Sequence, residues 1–287
     1  MLPRTIDSLH LDTVDVEHPK GPAVLCLPGL FTGSWAFERL LPLIAERGYP
    51  AASLSYRGRP PNASVENVGT VSITDYVRDA ATAAAALHRP IAIGHSLGGL
   101  ISLMLARRDH LRAAVLISSA PPRGIPVFSW PLLARMTGYL PSLLLSRPLL
   151  PGAADVDALV LNKVPVQNRA RVRSRFTADS GRVARQITLG TLAVPAGAIR
   201  IPLFIVTGDD DRFVPPGVAR KLAQRYKAPL HVAHGHGHFL FEEPGWEAHA
   251  RVILDWIDAL PGIAGERHPP ENALPLTGIA ASGTYRS

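Results

Sequence analysis

An α/β domain, with a mostly parallel sheet flanked by helices and a helical segment inserted into it, is the fold class that this 287-residue sequence predicts. Three observations lead there. Short apolar runs alternate with longer helical patterns, as right-handed βαβ crossovers require. One glycine-flanked serine stands where such a run turns into an apolar helix. Finally, the alternation breaks between about Pro121 and Ile201, where some eighty residues separate two runs that would otherwise need a short crossover.

The apolar runs are "AVLCL" (23–27), "AASLSY" (51–56), "IAIGHS" (91–96), "AAVLISS" (113–119), "PLFIVTG" (202–208) and "LHVAH" (230–234). Each is short enough and bounded by enough turn residues to read as a buried strand. Between them, "SITDYVRDAATAAAALHRP" opens on a Ser/Thr cap signal, is rich in alanine and stops before Pro90. "PGWEAHARVILDWIDALPG" carries Trp246, Ala250, Ile253, Ile257 and Leu260 at helical spacing, which predicts a helix packed on the core.

The breaks divide the chain into a core over 1–120 and 201–262, a helical cap over 121–200 and a C-terminal tail over 263–287 rich in Pro, Gly, Ala and Ser. The insertion begins with the greasy, proline-punctuated "FSWPLLARMTGYLPSLLLSRPLLPG", which Pro131, Arg135, Pro141, Arg147 and Pro148 disqualify as a membrane span. Its second half sets Arg169, Arg171, Arg173, Arg175, Arg182 and Arg185 against a lone Asp179. Such a charge run reads as a solvated basic face.

With 47% hydrophobic and 18% charged residues the chain has the composition of a globular protein, not a disordered one. Its formal charge of +7 raises nucleic acid as a partner, but no zinc-finger, RNA-recognition or helix-turn-helix signature accompanies the charge. An Arg-rich enzyme acting on a small molecule is the expectation instead. The single cysteine, Cys26, excludes an internal disulfide and reads as a buried, inert thiol. Asp7, Asp12 and Asp15 interrupt the N-terminus before any signal-like stretch, so a cytoplasmic location is expected. Oligomeric state is left open.

Gly94-His95-Ser96-Leu97-Gly98 lies at the end of one apolar run and the start of an apolar helical pattern. A serine on so sharp a strand-to-helix turn is strained, and its neighbours two residues away must lack side chains so that strand and helix can approach. Gly94 and Gly98 meet that need. The turn would lift the Ser96 hydroxyl out of the sheet, with a helix N-terminus behind it to favour developing negative charge.

With its "GHSLGG" and "LPGLFTGSWAFERLLPLIAERGYPAASLSYRG", the chain resembles the α/β-hydrolase fold family over about residues 21–120 and 200–260. The first stretch is similar to that family's nucleophile elbow, the second to its "HG" loop, following helix and "D-x-RG" strand end. The resemblance implies a Ser/Asp/His triad in that chain order. Three carboxylates, Asp209, Asp210 and Asp211, follow the run "PLFIVTG", and all three cannot point inward at reasonable electrostatic cost. The family pattern G-x-x-D-x-x-x-P, anchored on Gly208 and Pro215, selects Asp211, with Asp210 as the fallback. "GHFLFEEPGWE" resembles the family's histidine loop and makes His238 the base.

His238 closes a row with His231, His234 and His236, and His-x-His spacing is also a zinc-ligand geometry. The row lacks the aspartate of the H-x-H-x-D-H signature, and no second histidine cluster lies elsewhere. No metal and no cofactor are therefore expected, and these three histidines are assigned structural roles. The resemblance further implies an oxyanion hole from the backbone N–H groups of Leu97 and Leu30. Two departures stand out. Pro28 replaces the histidine of the "HG" loop, which removes a brace of that loop. "YRGRPPN" stands where many relatives read "RGHGxS", and is expected to be a surface turn away from the chemistry.

These readings converge on a cofactor-independent serine hydrolase that cleaves a carboxylic ester with an apolar acyl or alcohol part. Phe128, Trp130, Leu132, Leu133 and Met136 would line the cap. The same constellation serves thioesters, lactones, carbon–carbon hydrolysis and perhydrolysis, and a non-catalytic ligand-binding relative is the rival of a different class.

Overall fold

The computed structural model describes residues 1–127, 135 and 137–262. The tail and the five residues expected to line the cap (Phe128, Trp130, Leu132, Leu133, Met136) lie outside these.

All six expected runs form strands; five are buried throughout, and the edge strand over 230–233 is buried only at Ala233. They are β3 (Val24–Leu27), β4 (Ala51–Leu54), β5 (Ile91–His95), β6 (Ala113–Ile117), β9 (Leu203–Gly208) and β10 (Leu230–Ala233). Two further strands, β1 (Leu2–Ile6) and β2 (Leu9–Val14), precede them as an antiparallel hairpin that the sequence reading missed. The turn between them, Asp7 and Ser8, has positive φ at both positions (46° and 68°), the conformation a two-residue hairpin turn demands. The resulting sheet runs β1-β2-β4-β3-β5-β6-β9-β10, antiparallel at the first two pairings and parallel from β4 onward.

Alternation along the strands divides the core into two layers. Leu25, Leu27, Ala92, Leu116 and Ile205 pack on one face with helices α2 (Ile73–Ala86), α3 (Leu97–Ala106) and a helix over Pro216–Tyr226. Val24, Cys26, Ile93, Val115 and Val206 pack on the other with α1 (Leu40–Glu46) and a helix over Trp246–Asp258. Cys26 is wholly buried there, and burial pushes its thiol pKa far up, so it is unreactive. The expected cap signal of α2 is a full capping box: the Ser72 side chain meets Asp75 N–H, and the Asp75 carboxylate accepts from Ser72 N–H at 2.9 Å.

The segment between β6 and β9 holds short helices over Leu140–Leu144, Val166–Arg173 and Gly181–Thr188 and a two-residue ladder, β7 (Pro148–Leu149) with β8 (Asp179–Ser180). Among the described residues it has no large core of its own. Val156, Leu161, Val164 and Val172 join one layer of the main core, and Val183, Leu192 and Val194 join the other.

Here the expectation of a solvated basic face holds only in part: Arg171 and Arg182 are exposed, but all six arginines have partners. Arg175 grips Glu38 through both terminal nitrogens (2.5 and 2.7 Å) and lies over the Trp35 ring. Arg171 pairs with Glu242 and Arg173 with Asp157. Arg169, Arg182 and Arg185 donate to backbone carbonyls of Val164, Thr70 and Leu143, respectively. Partners inside the insertion (Asp157, Val164, Leu143) clasp it to itself, and partners outside it (Glu38, Thr70, Glu242) clasp it to the core.

Candidate active site

The three side chains singled out in the sequence sit beyond the C-terminal ends of parallel strands, where α/β sheets place their sites. Ser96 follows β5, Asp211 follows β9 and His238 follows β10. Ser96 has φ 52° and ψ −114°, a strained backbone for a residue with a side chain, and it caps α3. The turn is possible because its glycines are: a Cβ on Gly98 would lie 1.9 Å from the Leu27 carbonyl oxygen, and one on Gly94 would lie 2.3 Å from that of Gly98. Three backbone bonds hold the bend, Ser96 N–H to Ile117 O at 2.9 Å and Gly99 and Ala120 N–H to Ser96 O at 3.1 and 3.0 Å.

Of the three adjacent aspartates, Asp211 faces inward. Its Oδ2 lies 2.9 Å from Nδ1 of His238, and its Oδ1 accepts from Phe213 N–H at 3.0 Å and Val214 N–H at 2.8 Å. A carboxylate so held has one orientation. Asp210 turns outward to Lys163 at 2.8 Å, whose ammonium holds its pKa down, and Asp209 bonds His234 at 3.0 Å and Gly235 N–H at 2.8 Å.

His238 is almost fully buried, with the Phe213 ring edge-on at 5.1 Å. Because Asp211 can only accept, Nδ1 of His238 carries the proton and Nε2 is left to act. His231 and His236 form a separate group with His249, whereas His234 is exposed beside Asp209. His236 bonds Glu243 at 3.1 Å and meets the His249 ring at 4.5 Å, while His231 in β10 lies 2.9 Å from His249 Nδ1. Burial lowers the pKa of His249 to about 4 and raises that of Glu243. Among the described residues no group of three or more His, Cys, Asp or Glu side chains is placed to hold a metal ion.

Gly29 sits against the serine: a Cβ there would be 3.1 Å from that of Ser96. Leu30 follows it, and among the described residues its N–H has no hydrogen-bond acceptor. Leu97 opens α3, so its N–H belongs to the first turn, which helices leave without internal partners.

The "YRGRPPN" expectation is overturned here. Arg59 is wholly buried, not on a surface turn, and one of its terminal nitrogens donates to Gly29 O at 2.7 Å and Thr32 O at 2.6 Å. It takes over the bracing that Pro28 cannot give. No sequence pattern announced it, because its counter-ion, Asp179, lies 120 positions away.

A cavity of about 330 Å³ opens over Ser96 and His238. Its walls come from both sides, Leu30, Phe31 and Phe213 from the core and Leu143, Leu149, Leu159 and Phe176 from the insertion. Such a volume and lining suit a small apolar ligand.

Comparison with known proteins agrees with this architecture. A curated relative, the "Magnesium-chelatase 30 kDa subunit" of Rhodobacter capsulatus, is 26% identical over 268 residues, spanning 85% of this chain and 90% of that protein. A soluble variant of monoglyceride lipase from Saccharomyces cerevisiae superposes with a TM-score of 0.75 at 15% identity, covering 90% of this chain and 94% of the other. The 2-hydroxy-6-oxo-6-phenylhexa-2,4-dienoate hydrolase of Rhodococcus sp. strain RHA1 gives 0.68 at 19% identity, covering 90% and 99%. At such identities the two structures speak for the fold alone. A family profile described as "Alpha/beta hydrolase family" matches residues 24–251, and so the chain belongs to the alpha/beta hydrolase family.

Proposed function

We propose that this hydrolase is a serine esterase acting on a carboxylic ester with an apolar acyl or alcohol part, and that residues 121–200 serve as the cap over its site. The observation that carries the reading is the 2.9 Å contact of Asp211 with His238 Nδ1 beside a strained serine. It leaves an imidazole Nε2 as base at a nucleophile elbow.

In this reading the Ser96 oxygen attacks the acyl carbon while His238 Nε2 takes the hydroxyl proton, and Asp211 stabilises the imidazolium without being protonated itself. The carbonyl oxygen becomes an oxyanion that accepts from Leu30 and Leu97 N–H. His238 gives its proton to the leaving alcohol, the carbon–oxygen bond breaks and the acyl-enzyme remains. Water, deprotonated by the same Nε2, then attacks the acyl carbon and releases the acid. The apolar walls from Leu143, Leu149 and Phe176 support a greasy substrate.

Fluorophosphonate labelling followed by peptide mapping tests the mechanism, with an adduct on Ser96 expected and none in the Ser96→Ala variant. Turnover of p-nitrophenyl esters of graded chain length beside a matched thioester tests the bond. A preference for the thioester, or no adduct in the folded protein, overturns the esterase reading.

A further inference from the structure

Loop Gly29–Thr32 carries one of the two proposed oxyanion donors, yet its own strand does not fix its shape. Gly29 O accepts from Arg59 at 2.7 Å and from the Thr32 hydroxyl at 3.1 Å, and Thr32 O accepts from the same Arg59 nitrogen at 2.6 Å. Phe31, in the left-handed region with φ 68°, is held entirely from the insertion: its N–H donates to Asp179 Oδ2 at 2.7 Å and its carbonyl accepts from Thr177 N–H at 3.0 Å.

Arg59 and Asp179 are both fully buried and form an ion pair at 2.5 Å, with the Tyr76 hydroxyl donating to the other Asp179 oxygen. Tyr56 and Tyr76 present their rings to the guanidinium at 4.7 and 4.8 Å. A buried ion pair is a poor way to gain stability, since apolar side chains of similar volume serve as well or better. What this pair does, and apolar side chains cannot, is satisfy two carbonyls and one N–H of a loop beside the reacting serine.

The peptide plane makes that consequential. In a trans peptide the N–H points opposite to the C=O, so fixing the Gly29 carbonyl on Arg59 fixes the direction of Leu30 N–H. We propose that Arg59 and Asp179 are positioning residues for the oxyanion hole, with the insertion, through Asp179 and Thr177, holding the loop so that Leu30 N–H faces the substrate oxygen. The cap thereby shapes the transition state as well as the substrate cavity. This rests on the serine-esterase reading above.

The test compares an oxygen ester with its thiono counterpart, in which sulfur replaces the carbonyl oxygen and gains little from N–H donors. In Asp179→Asn, kcat for the p-nitrophenyl ester should fall about 10²–10³-fold, the loss expected for one oxyanion donor, with KM within about threefold. The thionoester rate should stay within about threefold. Arg59→Lys, which keeps a charge opposite Asp179 but not the planar fork, is read the same way and stands in if Asp179→Asn does not fold. Equal losses on both substrates, or none on either, overturn the proposal. Wild-type protein that neither labels at Ser96 nor turns over the oxygen ester refutes the esterase reading itself, a result distinct from either.

Discussion

The rings of His95 and His238 lie with their centroids 4.7 Å apart, and the Nε2–H of His95 donates to the His238 carbonyl at 2.8 Å. The residue between glycine and serine in the elbow thus ties the histidine loop to β5. Burial depresses the His95 pKa from 6.5 to about 3, so its ring is neutral. The unfolded chain binds this proton below about pH 6.5 and the folded one only below about pH 3, so stability falls as pH drops through that window. The full effect is on the order of 5 kcal/mol. His95→Gln, which keeps a donor but cannot titrate, should flatten the dependence of Tm on pH between 6.5 and 3. Parallel calorimetric curves for the two proteins would contradict this.

Asp210 and Asp211 are adjacent in sequence and opposite in surroundings. Asp211→Asn keeps the shape but removes the acceptor that sets the His238 tautomer, and kcat should fall by about 10⁴-fold. Asp210→Asn removes a half-exposed pair with Lys163, so kcat should stay within about threefold and stability within about 1 kcal/mol. Steady-state kinetics on one ester distinguishes them, and a reversed order would transfer the acid to Asp210.

His236 and His238 face different carboxylates, Glu243 and Asp211. His238→Ala should abolish measurable turnover while leaving Tm within a few degrees. His236→Ala should leave kcat within about threefold but strip a partner from buried Glu243, lowering stability by about 1–3 kcal/mol. If His236→Ala proves the more damaging to kcat, the assignment of the base is wrong.

Gly98→Ala places a methyl group where the Leu27 carbonyl oxygen would be 1.9 Å away, and backbone cannot yield as a side-chain tip can. A loss of about 3 kcal/mol or more is expected, read as a lower denaturant midpoint or absence of soluble protein. A Tm within 2–3 °C of wild type would show that the strand-to-helix contact is looser than described.

The parallel part of the sheet was legible because buried strands are apolar along most of their length, as β6 is throughout. The elbow was legible because a strained turn restricts residue types at fixed spacing. Asp211 was readable only through its distance from Pro215, since nothing in "DDD" itself says which carboxylate turns inward. The β1–β2 hairpin escaped notice because it lies at a sheet edge, where polar residues such as Asp12 alternate with Leu9 and Leu11. The burial of Arg59 and Asp179 escaped it because charge in a sequence reads as surface until its partner is known, and here the partner belongs to another part of the fold. The pairing of the arginine run escaped it for the same reason.

The insertion is a cassette in sequence but not in energy. Val172, Val164 and Leu161 lie in the same apolar layer as Ile93 and Val206, so exchanging residues 121–200 for another segment would open the main core as well as reshape the cavity over Ser96. Under the proposed esterase function, point changes at the cavity wall, such as Leu143 or Phe176, should therefore alter specificity with less loss of stability than grafting. Unfolding should likewise be one cooperative transition, with no stage at which the α/β core survives without the insertion.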